Sequence, residues 1–410
     1  MDAGKGVVNL AMPSPQILRA PAVWITARSW TLAAVERFGD ARVVTPVGTW
    51  GSIELGQLID SMLEHKPSPA RQRSRANIEA RTLVKDVRGA ARQIRGSRRA
   101  SRQASAPTPG GPFVWQHHDP FFSLGTRLAR GAGLPLVQFV DAPHVWEARR
   151  WGVRRPGWGP LLERTGEVRQ LRQADLIVCV SDDVANAVAD LCGPRVRVLV
   201  APCTADPSFF ELRTERAAIR RQLGYADSDV VVGWSGSFRR FHAVEHLTDA
   251  FVAAYVRDPA LRLLLVGDGP DRPDLEARAA ASPAREAITF VGQIPYSRMR
   301  DHVAAMDIAV LTARDPASFH YSPLKLREYR ASGRAIVAPA VGQIADTLTD
   351  GDDALLYQTG RVDELAAHLA TLAADAECRA RLGTASRDDE IARGGALAQI
   401  DLVSRELGVS

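Results

Sequence analysis

Residues 321–339 read Tyr-Ser-Pro-Leu-Lys-Leu-Arg-Glu-Tyr-Arg-Ala-Ser-Gly-Arg-Ala-Ile-Val-Ala-Pro. This stretch predicts a turn set by Pro323, a helix that Gly333 ends, and a buried strand over 335–339. We place Ser322 at the N-cap of the helix, so that the first backbone N–H groups and the positive end of the helix dipole are open to an anion such as phosphate. Glu328 lies about one and a half turns further along, where its carboxylate can accept hydrogen bonds from a vicinal diol such as a ribose.

On both sides of this stretch, short apolar strands alternate with helical patterns. In the second half of the chain the strands are apolar throughout, which is typical of a parallel sheet covered by helices on both faces. The first half shows the same alternation and predicts a second parallel sheet. The fold class is therefore α/β, with two doubly wound, Rossmann-like domains whose loops face a shared cleft. The predicted strands span residues 22–26, 41–47, 113–116, 135–141, 176–181, 230–234, 261–267, 287–292, 308–312, 335–339 and 354–357.

The bulk composition bounds the class of protein. The chain has 410 residues, of which 46% are hydrophobic and 6% aromatic, enough for two domains that each bury a core. Its four cysteines have neither C-x-x-C spacing nor a disulfide-dense pattern, which fits a reducing cytoplasm and argues against a structural zinc site. We expect a cytoplasmic protein, soluble or peripheral to a membrane, because the sequence has no signal-peptide pattern and no spanning apolar run.

The positive charge is concentrated in one segment. Residues 66–102 contain 12 Lys and Arg against Glu79 and Asp86, a net charge of +10, whereas the whole chain carries +5. Apolar residues at helical spacing predict an amphipathic helix with an arginine-rich outer face, followed by a loose linker over 97–112. Residues 71–102 are a candidate contact for anionic lipid, nucleic acid or an acidic acceptor, or form only a solvated helix and linker. The lack of interleaved aromatic residues argues against nucleic acid. The apolar positions are Ala80, Leu83, Val84, Val87, Ala91 and Ile94.

Four further motifs accompany the stretch at 321–339. Each is weak alone, but their order and spacing together resemble the nucleotide-sugar site of the GT-B glycosyltransferases, specifically the retaining enzymes of family 4. The resemblance covers most of the chain beyond residue 110. The motifs are Gly-Trp-Ser-Gly-Ser-Phe at 233–238, Leu-Leu-Leu-Val-Gly-Asp-Gly-Pro at 263–270, Thr-Phe-Val-Gly at 289–292 and Met-Asp-Ile-Ala-Val-Leu at 306–311.

The resemblance implies a division of labour between the two domains. Residues 1–206 would bind the acceptor, with 66–112 as an insertion, and residues 207–385 would bind the nucleotide sugar. The C-terminal helix, within 386–410, would pack back onto the first domain. Glu328 matches the ribose ligand of the family, and the amides ahead of it match the diphosphate site. The donor-binding residues implied in this way are Glu328, Ser322, Leu324, Lys325, His320, His242, Gly236, Gly269 and Ile294.

The chain departs from the family pattern at three side chains of the donor site. His320 stands where the family usually has a glutamate, and either hydrogen-bonds sugar hydroxyls or is an ordinary loop histidine. Arg239 stands where a variant of the family has a lysine, and is the candidate for neutralising the leaving diphosphate with its planar guanidinium. His242 replaces a second lysine of many relatives; it would serve when protonated, and the sequence does not decide its charge.

Three loops also differ from the pattern or admit two interpretations. The family often has a glycine-rich loop after its first strand, whereas this chain has residues 26–30 there, so that Arg28 or the backbone of Ser29 substitutes, or the first domain contributes less. Residues 267–270 either let a ligand approach the backbone closely or form a plain tight turn. Ile294 occupies the place where relatives contact the base through main-chain groups.

On the acceptor side, Asp141-Ala-Pro143 with Glu147 resembles an Asn-Ala-Pro and following Glu of one branch of the family. Asp141 could accept a proton from an incoming nucleophile. The neighbouring strand ends in Trp-Gln-His-His-Asp at 115–119 and should line the same cleft. Consecutive residues on a strand point to opposite faces, which argues against a metal site at the two histidines and leaves open which of them faces the cleft. We assign catalytic roles to Arg239, Asp141 and His118, and acceptor binding to His117, Glu147 and Trp115.

Together these features predict a retaining glycosyltransferase that moves a sugar from a UDP- or GDP-linked donor to a small polar acceptor, of the natural-product kind. We expect no metal and no cofactor other than the nucleotide sugar. Two alternatives stay open at this point. One is a nucleotide-sugar 2-epimerase of the same architecture, and the other is a membrane- or nucleic-acid-binding protein whose cleft is not catalytic.

Overall fold

The computed structural model describes residues 6–15, 18, 20–64, 78–103, 111–211, 215–316 and 319–409. In this part of the chain the strands form two separate sheets, each covered by helices. The strands are β1 Gly6–Ala11, β2 Gly39–Thr45, β3 Gly48–Trp50, β4 Val114–His117, β5 Leu136–Val140, β6 Leu176–Cys179, β7 Val198–Val200, β8 Val230–Ser235, β9 Leu261–Val266, β10 Ile288–Gly292, β11 Ile308–Val310, β12 Ala335–Pro339 and β13 Leu355–Tyr357.

The helices follow the strands in the alternation that the sequence predicts. They are α1 Pro21–Phe38, α2 Ser52–Glu64, α3 Ile78–Gln103, α4 Leu124–Ala132, α5 His144–Arg150, α6 Trp158–Leu162, α7 Arg169–Leu171, α8 Asp182–Cys192, α9 Arg216–Gln222, α10 Val244–Tyr255, α11 Arg272–Ala280, α12 Met299–Ala305, α13 Leu324–Ala331, α14 Gly342–Thr347, α15 Val362–Ala374, α16 Ala376–Ala392 and α17 Gly395–Leu407.

Both sheets are doubly wound. The described strands of the first have the order β3-β2-β1-β4-β5-β6-β7, parallel except for β3, and those of the second have the all-parallel order β10-β9-β8-β11-β12-β13. The carboxyl ends of parallel strands meet at one edge of each sheet, which is where ligands bind in such folds. The α/β fold class with two Rossmann-like units is therefore confirmed. The boundary at residue 206 stays a prediction.

The start of the chain differs from the prediction. The strand expected over 22–26 lies inside α1, and the first strand is the earlier β1. The error has a physical cause: α1 buries residues on most of its circumference, so the run Val-Trp-Ile-Thr shows no helical stripe and resembles a short buried strand. Pro21 at the first helical turn is the signal that favours the helix.

The C-terminal end of α3 also differs from the prediction. Residues 97–103 of the expected linker 97–112 belong to α3, which ends at Gln103, and residues 104–110 lie outside the described part. In the second half, α15 and α16 separate at Asp375, whose carboxylate accepts a hydrogen bond from the Cys378 N–H and caps α16.

Helix α17 packs on α1 of the first sheet. The Arg37 guanidinium lies 2.9 Å from the Asp401 carboxylate, and the Gln399 amide donates a hydrogen bond of 2.6 Å to the Pro202 carbonyl. The chain thus crosses back to its N-terminal half after the second sheet is complete, as the resemblance implies.

A buried cluster of charges attaches α13 to α16. Arg330 is fully buried and its guanidinium lies 3.0 Å from the Glu390 carboxylate, while it also donates to the Thr347 carbonyl and pairs with Asp389. Arg327, also buried, donates to the same Glu390 carboxylate at 3.3 Å. Each charge in this cluster has a partner of opposite sign, which burial requires.

Replacing Arg330 by Leu should therefore destabilise the protein strongly. The change leaves the Glu390 carboxylate with one weaker partner in a dry environment, and removing one partner of a buried pair costs about 3–5 kcal/mol. Urea unfolding at neutral pH measures the loss. The control is Arg285→Leu, which breaks the exposed pair with Glu286 and should change the unfolding midpoint little. Equal midpoints for the two variants would contradict the assignment.

Candidate functional site

The site begins at the turn that leads into α13. Pro323, not Ser322, occupies the N-cap position, and no side chain caps the helix. The Ser322 hydroxyl instead accepts a hydrogen bond of 3.0 Å from the Cys203 N–H in the connection between the two sheets. The predicted cap is therefore wrong by one residue, because the hydroxyl holds the connection. The N–H groups of Leu324 and Lys325 lie in the first helical turn, where no carbonyl of the helix can accept from them.

Glu328 lies within this corner and is 4% exposed. The Tyr296 hydroxyl donates a hydrogen bond of 2.9 Å to one carboxylate oxygen of Glu328. Burial raises the pKa of Glu328 to about 7, against the opposing effects of the Tyr296 hydrogen bond and the Lys325 ammonium. Tyr296 was not among the predicted site residues; its only sequence signal is its place shortly after the carboxyl end of β10.

The side chain of Lys325 belongs to the site as well as its backbone. Its ammonium lies 3.6 Å from the centroid of the Trp234 ring, and burial lowers its pKa to about 7. A Cβ atom at Gly236 would lie 2.9 Å from this ammonium, so the glycine leaves the space that the lysine occupies. Gly236, which was predicted to bind the donor, thus acts by leaving room for the Lys325 ammonium.

The loop after β8 brings two more nitrogen-bearing side chains to the same place. Arg239 is exposed at the start of a short 3₁₀ turn, Arg240–His242. Burial, followed by the charges of Lys325 and Arg239, lowers the pKa of His242 to about 2. His242 is therefore neutral near pH 7 in the unliganded protein. Arg239 and Lys325 are the two basic side chains whose charges act on His242.

The glycines after the strands serve the contact between two loops. A Cβ atom at Gly267 would lie 1.8 Å from the Gly236 carbonyl oxygen, and one at Gly269 would lie 2.3 Å from the Phe238 carbonyl oxygen. The two loops are also joined by a hydrogen bond of 3.0 Å from the Phe238 N–H to the Asp268 carbonyl. Gly269 therefore lets the two loops of the chain approach each other closely. Ile294, the predicted base contact, is half-buried and packs against the core.

On the first sheet, the two histidines at the end of β4 point in different directions. The His117 ring nitrogen lies 3.7 Å from the Asp141 carboxylate, which follows β5. The His118 ring lies 3.7 Å from the Glu167 carboxylate, and both of these side chains are buried. The ion-pair distance to Asp141 thus belongs to His117, whereas His118, the predicted catalytic histidine, is buried against Glu167.

Asp141 remains partly exposed at the carboxyl end of β5. Loss of water around its carboxyl group, followed by the nearby Glu147 carboxylate, raises the pKa of Asp141 to about 7. Burial, followed by the charge of His118, lowers the pKa of His117 to about 3, so this ring is neutral near pH 7. The pair therefore offers a carboxylate that can take up a proton near neutral pH, next to an uncharged imidazole.

The predicted donor and acceptor residues meet across the cleft. The His320 ring nitrogen lies 3.3 Å from the Glu147 carboxylate of α5, and the Ser181 hydroxyl donates a hydrogen bond of 2.6 Å to the His320 carbonyl. Trp151 contacts Phe241 edge to face at 4.6 Å between ring centroids. His320 and Glu147 thus take part in one contact between the two halves of the protein.

Three of the candidate residues on the first half do not lie where the sequence predicts them. Trp115 is completely buried between Trp30 and Phe139, so the prediction that it binds an acceptor is wrong. Arg28, expected in a loop after the first strand, lies within α1 and pairs with Asp206, while the Ser29 hydroxyl donates to the Ile25 carbonyl. Strand β1 ends at Ala11, and α1 begins at Pro21.

Comparison with protein families and solved structures identifies glycosyltransferases as relatives of this chain. Residues 229–375 match the model of the family "Glycosyl transferases group 1". D-inositol 3-phosphate glycosyltransferase of Nocardia farcinica is 30% identical over 232 residues, covering 55% of this chain and 50% of that protein. 2-Deoxystreptamine glucosyltransferase of Streptomyces kanamyceticus is 26% identical over 245 residues, covering 59% and 57%. The chain therefore spans about half the length of these curated relatives.

Two solved structures share the whole fold. Anabaena HepE, solved with UDP and glucose, superimposes with a TM-score of 0.68 at 16% identity over 98% of this chain and 99% of its own. Sucrose-phosphate synthase of Thermosynechococcus elongatus superimposes with a TM-score of 0.64 at 18% identity, over 98% and 99%. At these identities the likeness concerns the fold, which is GT-B.

Replacing Glu328 by Gln should stabilise the unliganded protein at high pH. The pKa of this carboxyl group is higher in the folded chain than in the unfolded chain, so folding keeps a proton that the unfolded chain loses above about pH 5. The cost of burying the charge is absent below that pH and complete above about pH 7. We expect the variant to gain about 1–3 kcal/mol at about pH 8 and nothing at about pH 4. Thermal unfolding of both proteins across this range measures the difference; a gain that does not change with pH would contradict the assignment.

Proposed function

We propose, from the premise that residues 229–375 match the model of the glycosyl transferases group 1 family, that the protein transfers a sugar from a nucleoside diphosphate sugar to a small polar acceptor. The observation that carries the proposal is the corner at α13, where the buried Glu328 carboxylate, the partly buried Lys325 ammonium and two open helical amides lie together. These groups are matched to the two ends of one ligand, a ribose and a diphosphate.

The donor is held by contacts of three kinds. The N–H groups at Leu324 and Lys325 donate to diphosphate oxygens at the positive end of the helix dipole. The Lys325 ammonium, whose pKa burial lowers to about 7, becomes fully charged when a diphosphate arrives beside it. Glu328, oriented by the Tyr296 hydrogen bond, accepts hydrogen bonds from the ribose hydroxyls.

Transfer requires that charge on the departing diphosphate be stabilised as it develops. Arg239 is exposed, and its charge and that of Lys325 both lower the pKa of His242, so we assign to Arg239 the role of a second cation where that charge appears. Two cations and the helix amides perform the role that a metal ion has in other enzymes, so the proposed reaction is independent of metal and of any further cofactor. The donor is UDP- or GDP-linked; UDP is the nucleotide named with the solved HepE structure.

The acceptor is activated from the first half of the protein. Asp141, with a pKa raised to about 7, accepts the proton of the attacking hydroxyl, amine or thiol. The neutral His117 ring lies beside it and can hydrogen-bond the same acceptor. The named relatives act on compact polar molecules such as D-inositol 3-phosphate and 2-deoxystreptamine, which supports an acceptor of that class. Attack on the face that the diphosphate leaves gives retention of the anomeric configuration.

A product assay tests the proposal as a whole. The purified protein is incubated with UDP- and GDP-sugars and a panel of polyols, aminocyclitols and hydroxy acids, and the new glycoside is identified by mass spectrometry and by the anomeric coupling constant. Incubation with donor alone distinguishes a nucleotide-sugar 2-epimerase, which would isomerise the sugar without an acceptor. Failure of every donor to raise the melting temperature would contradict the donor site itself.

Two substitutions on the donor side should act on different kinetic parameters. Glu328→Ala removes a ground-state contact and should raise the KM for the donor by about 10–100-fold. Arg239→Ala removes a contact that strengthens as charge develops and should lower kcat by about 100–1,000-fold. Arg240→Ala, the change of a neighbouring exposed arginine, is the control and should leave both parameters near the wild-type values. Unaltered donor affinity in Glu328→Ala would refute the ribose assignment.

The titration of Asp141 predicts how kcat depends on pH. Only the ionised form of Asp141 accepts a proton, so kcat at saturating donor should rise about tenfold from about pH 6 to about pH 8. Because kcat reports the groups of the bound complex, its pH dependence at saturating donor excludes the titration of Glu328 and Lys325 in the free enzyme. Asp141→Asn should lower kcat and flatten the rise. An Asn variant with the wild-type profile would exclude Asp141 as the base.

A further inference from the structure

Helix α3 contacts the rest of the protein through a polar and small-residue face. Of its side chains, Asp86, Gln93, Ser97 and Ala100 are buried. The Asp86 carboxylate accepts hydrogen bonds of 2.8 Å from Arg155 and 3.0 Å from the Trp158 indole, and the Arg155 and Asp86 side chains are 7% and 8% exposed. This ion pair fixes how the helix is rotated about its axis.

The apolar stripe of α3 points away from the protein. Successive helical residues turn by about 100°, which places the apolar stripe roughly 125° around the helix from the buried face. Its larger members are strongly exposed: Leu83 by 39%, Val84 by 47%, Val87 by 59% and Ile94 by 40%. A surface helix of a soluble domain normally turns this stripe inward. Here the opposite orientation leaves a continuous apolar line on the surface, which marks an interaction site.

Basic side chains line one edge of this stripe. In the described part of the chain none of Arg81, Lys85, Arg88, Arg92 and Arg95 forms an ion pair, and each is exposed. They fall between the apolar stripe and the buried face on the helical wheel. The only carboxylates between residues 66 and 102 are Glu79 and the buried Asp86. The positive charge of the basic side chains is therefore not compensated within the segment.

We propose that α3 docks this protein onto an anionic lipid surface, with its apolar stripe at the level of the acyl chains and its basic edge on the headgroups. A line of apolar side chains beside a line of cations is the arrangement that an interfacial helix requires. In the described residues no helix is long and apolar enough to cross a bilayer, so the contact is peripheral. The inference does not depend on the sugar transfer.

Two other occupants fit the surface less well. Nucleic acid would use the cations but would leave the apolar stripe in water, and the helix has no aromatic side chain for stacking on bases. A second copy of the chain would cover the stripe but would bring two rows of uncompensated arginine and lysine together, which is unfavourable. An anionic bilayer satisfies both the stripe and the charges.

Vesicle sedimentation with the full-length protein tests the proposal. We expect binding to vesicles of phosphatidylcholine with about 30% phosphatidylglycerol, little binding to phosphatidylcholine alone, and weakening of the binding by salt. Val84→Ser combined with Val87→Ser should reduce partitioning at least about tenfold, because the apolar contact is lost. Arg88→Ser combined with Arg92→Ser should reduce partitioning about thirtyfold, since each Lys or Arg near an anionic surface adds to the free energy of binding.

Matched controls separate docking from general surface effects. Ile53→Ser changes an apolar side chain that is 78% exposed on α2, and Arg164→Ser changes an exposed arginine outside α3; both should partition like the wild type. Circular dichroism and melting temperature confirm that each variant is folded. The proposal is overturned if the wild type ignores anionic vesicles, or if the valine double variant binds as well as the wild type. Binding to a DNA duplex without vesicle binding, or a dimer that only the valine variant loses, would also overturn it.

Discussion

Helix α13 buries three charged residues in four positions, and their need for partners organises the second half of the protein. Arg327 and Arg330 are directed to Glu390 and Asp389 on α16, while Glu328 is turned to the other side and hydrogen-bonds Tyr296. A buried charge without a partner costs several kcal/mol, so α16 must pass directly behind α13. Helix α17 then follows α16 onto the first half, and the crossing of the chain derives from the same pairing.

This arrangement gives the candidate site its electrostatic character. The arginines behind α13 have carboxylate partners that are built into the fold, whereas Glu328 and Lys325 face the cleft. Burial moves their two pKa values toward each other, raising that of Glu328 and lowering that of Lys325, each to about 7. Their charge states thus respond to what enters the site. A ligand with hydroxyls at one end and a diphosphate at the other favours the ionised form of both residues, so that binding and ionisation reinforce each other.

The sequence predicted the sheets of the second half well because each strand is buried on both faces and each βα unit repeats the same pattern. It failed at residues 22–26, where a helix buried on most sides leaves no periodicity to distinguish it from a strand. At the site, Glu328 and the turn before it could be identified from local chemistry. His117 and His118 could not be told apart, because strand alternation says that they diverge but not which one faces Asp141. The contact between His320 and Glu147 joins residues far apart in the sequence, which no local pattern contains.

Helix α3 shows a related difficulty in a different form. The sequence predicts its apolar stripe correctly. A period of 3.6 residues shows only that the helix has two different faces, and it does not show which of them is buried. The apolar face is the buried one in most soluble proteins, but not in this helix. The direction is decided here by Asp86, whose ion pair with Arg155 also brings that guanidinium within 2.8 Å of His144, the first residue of the helix that carries Glu147. One buried carboxylate thus orients the stripe outward and connects α3 to the acceptor side of the cleft.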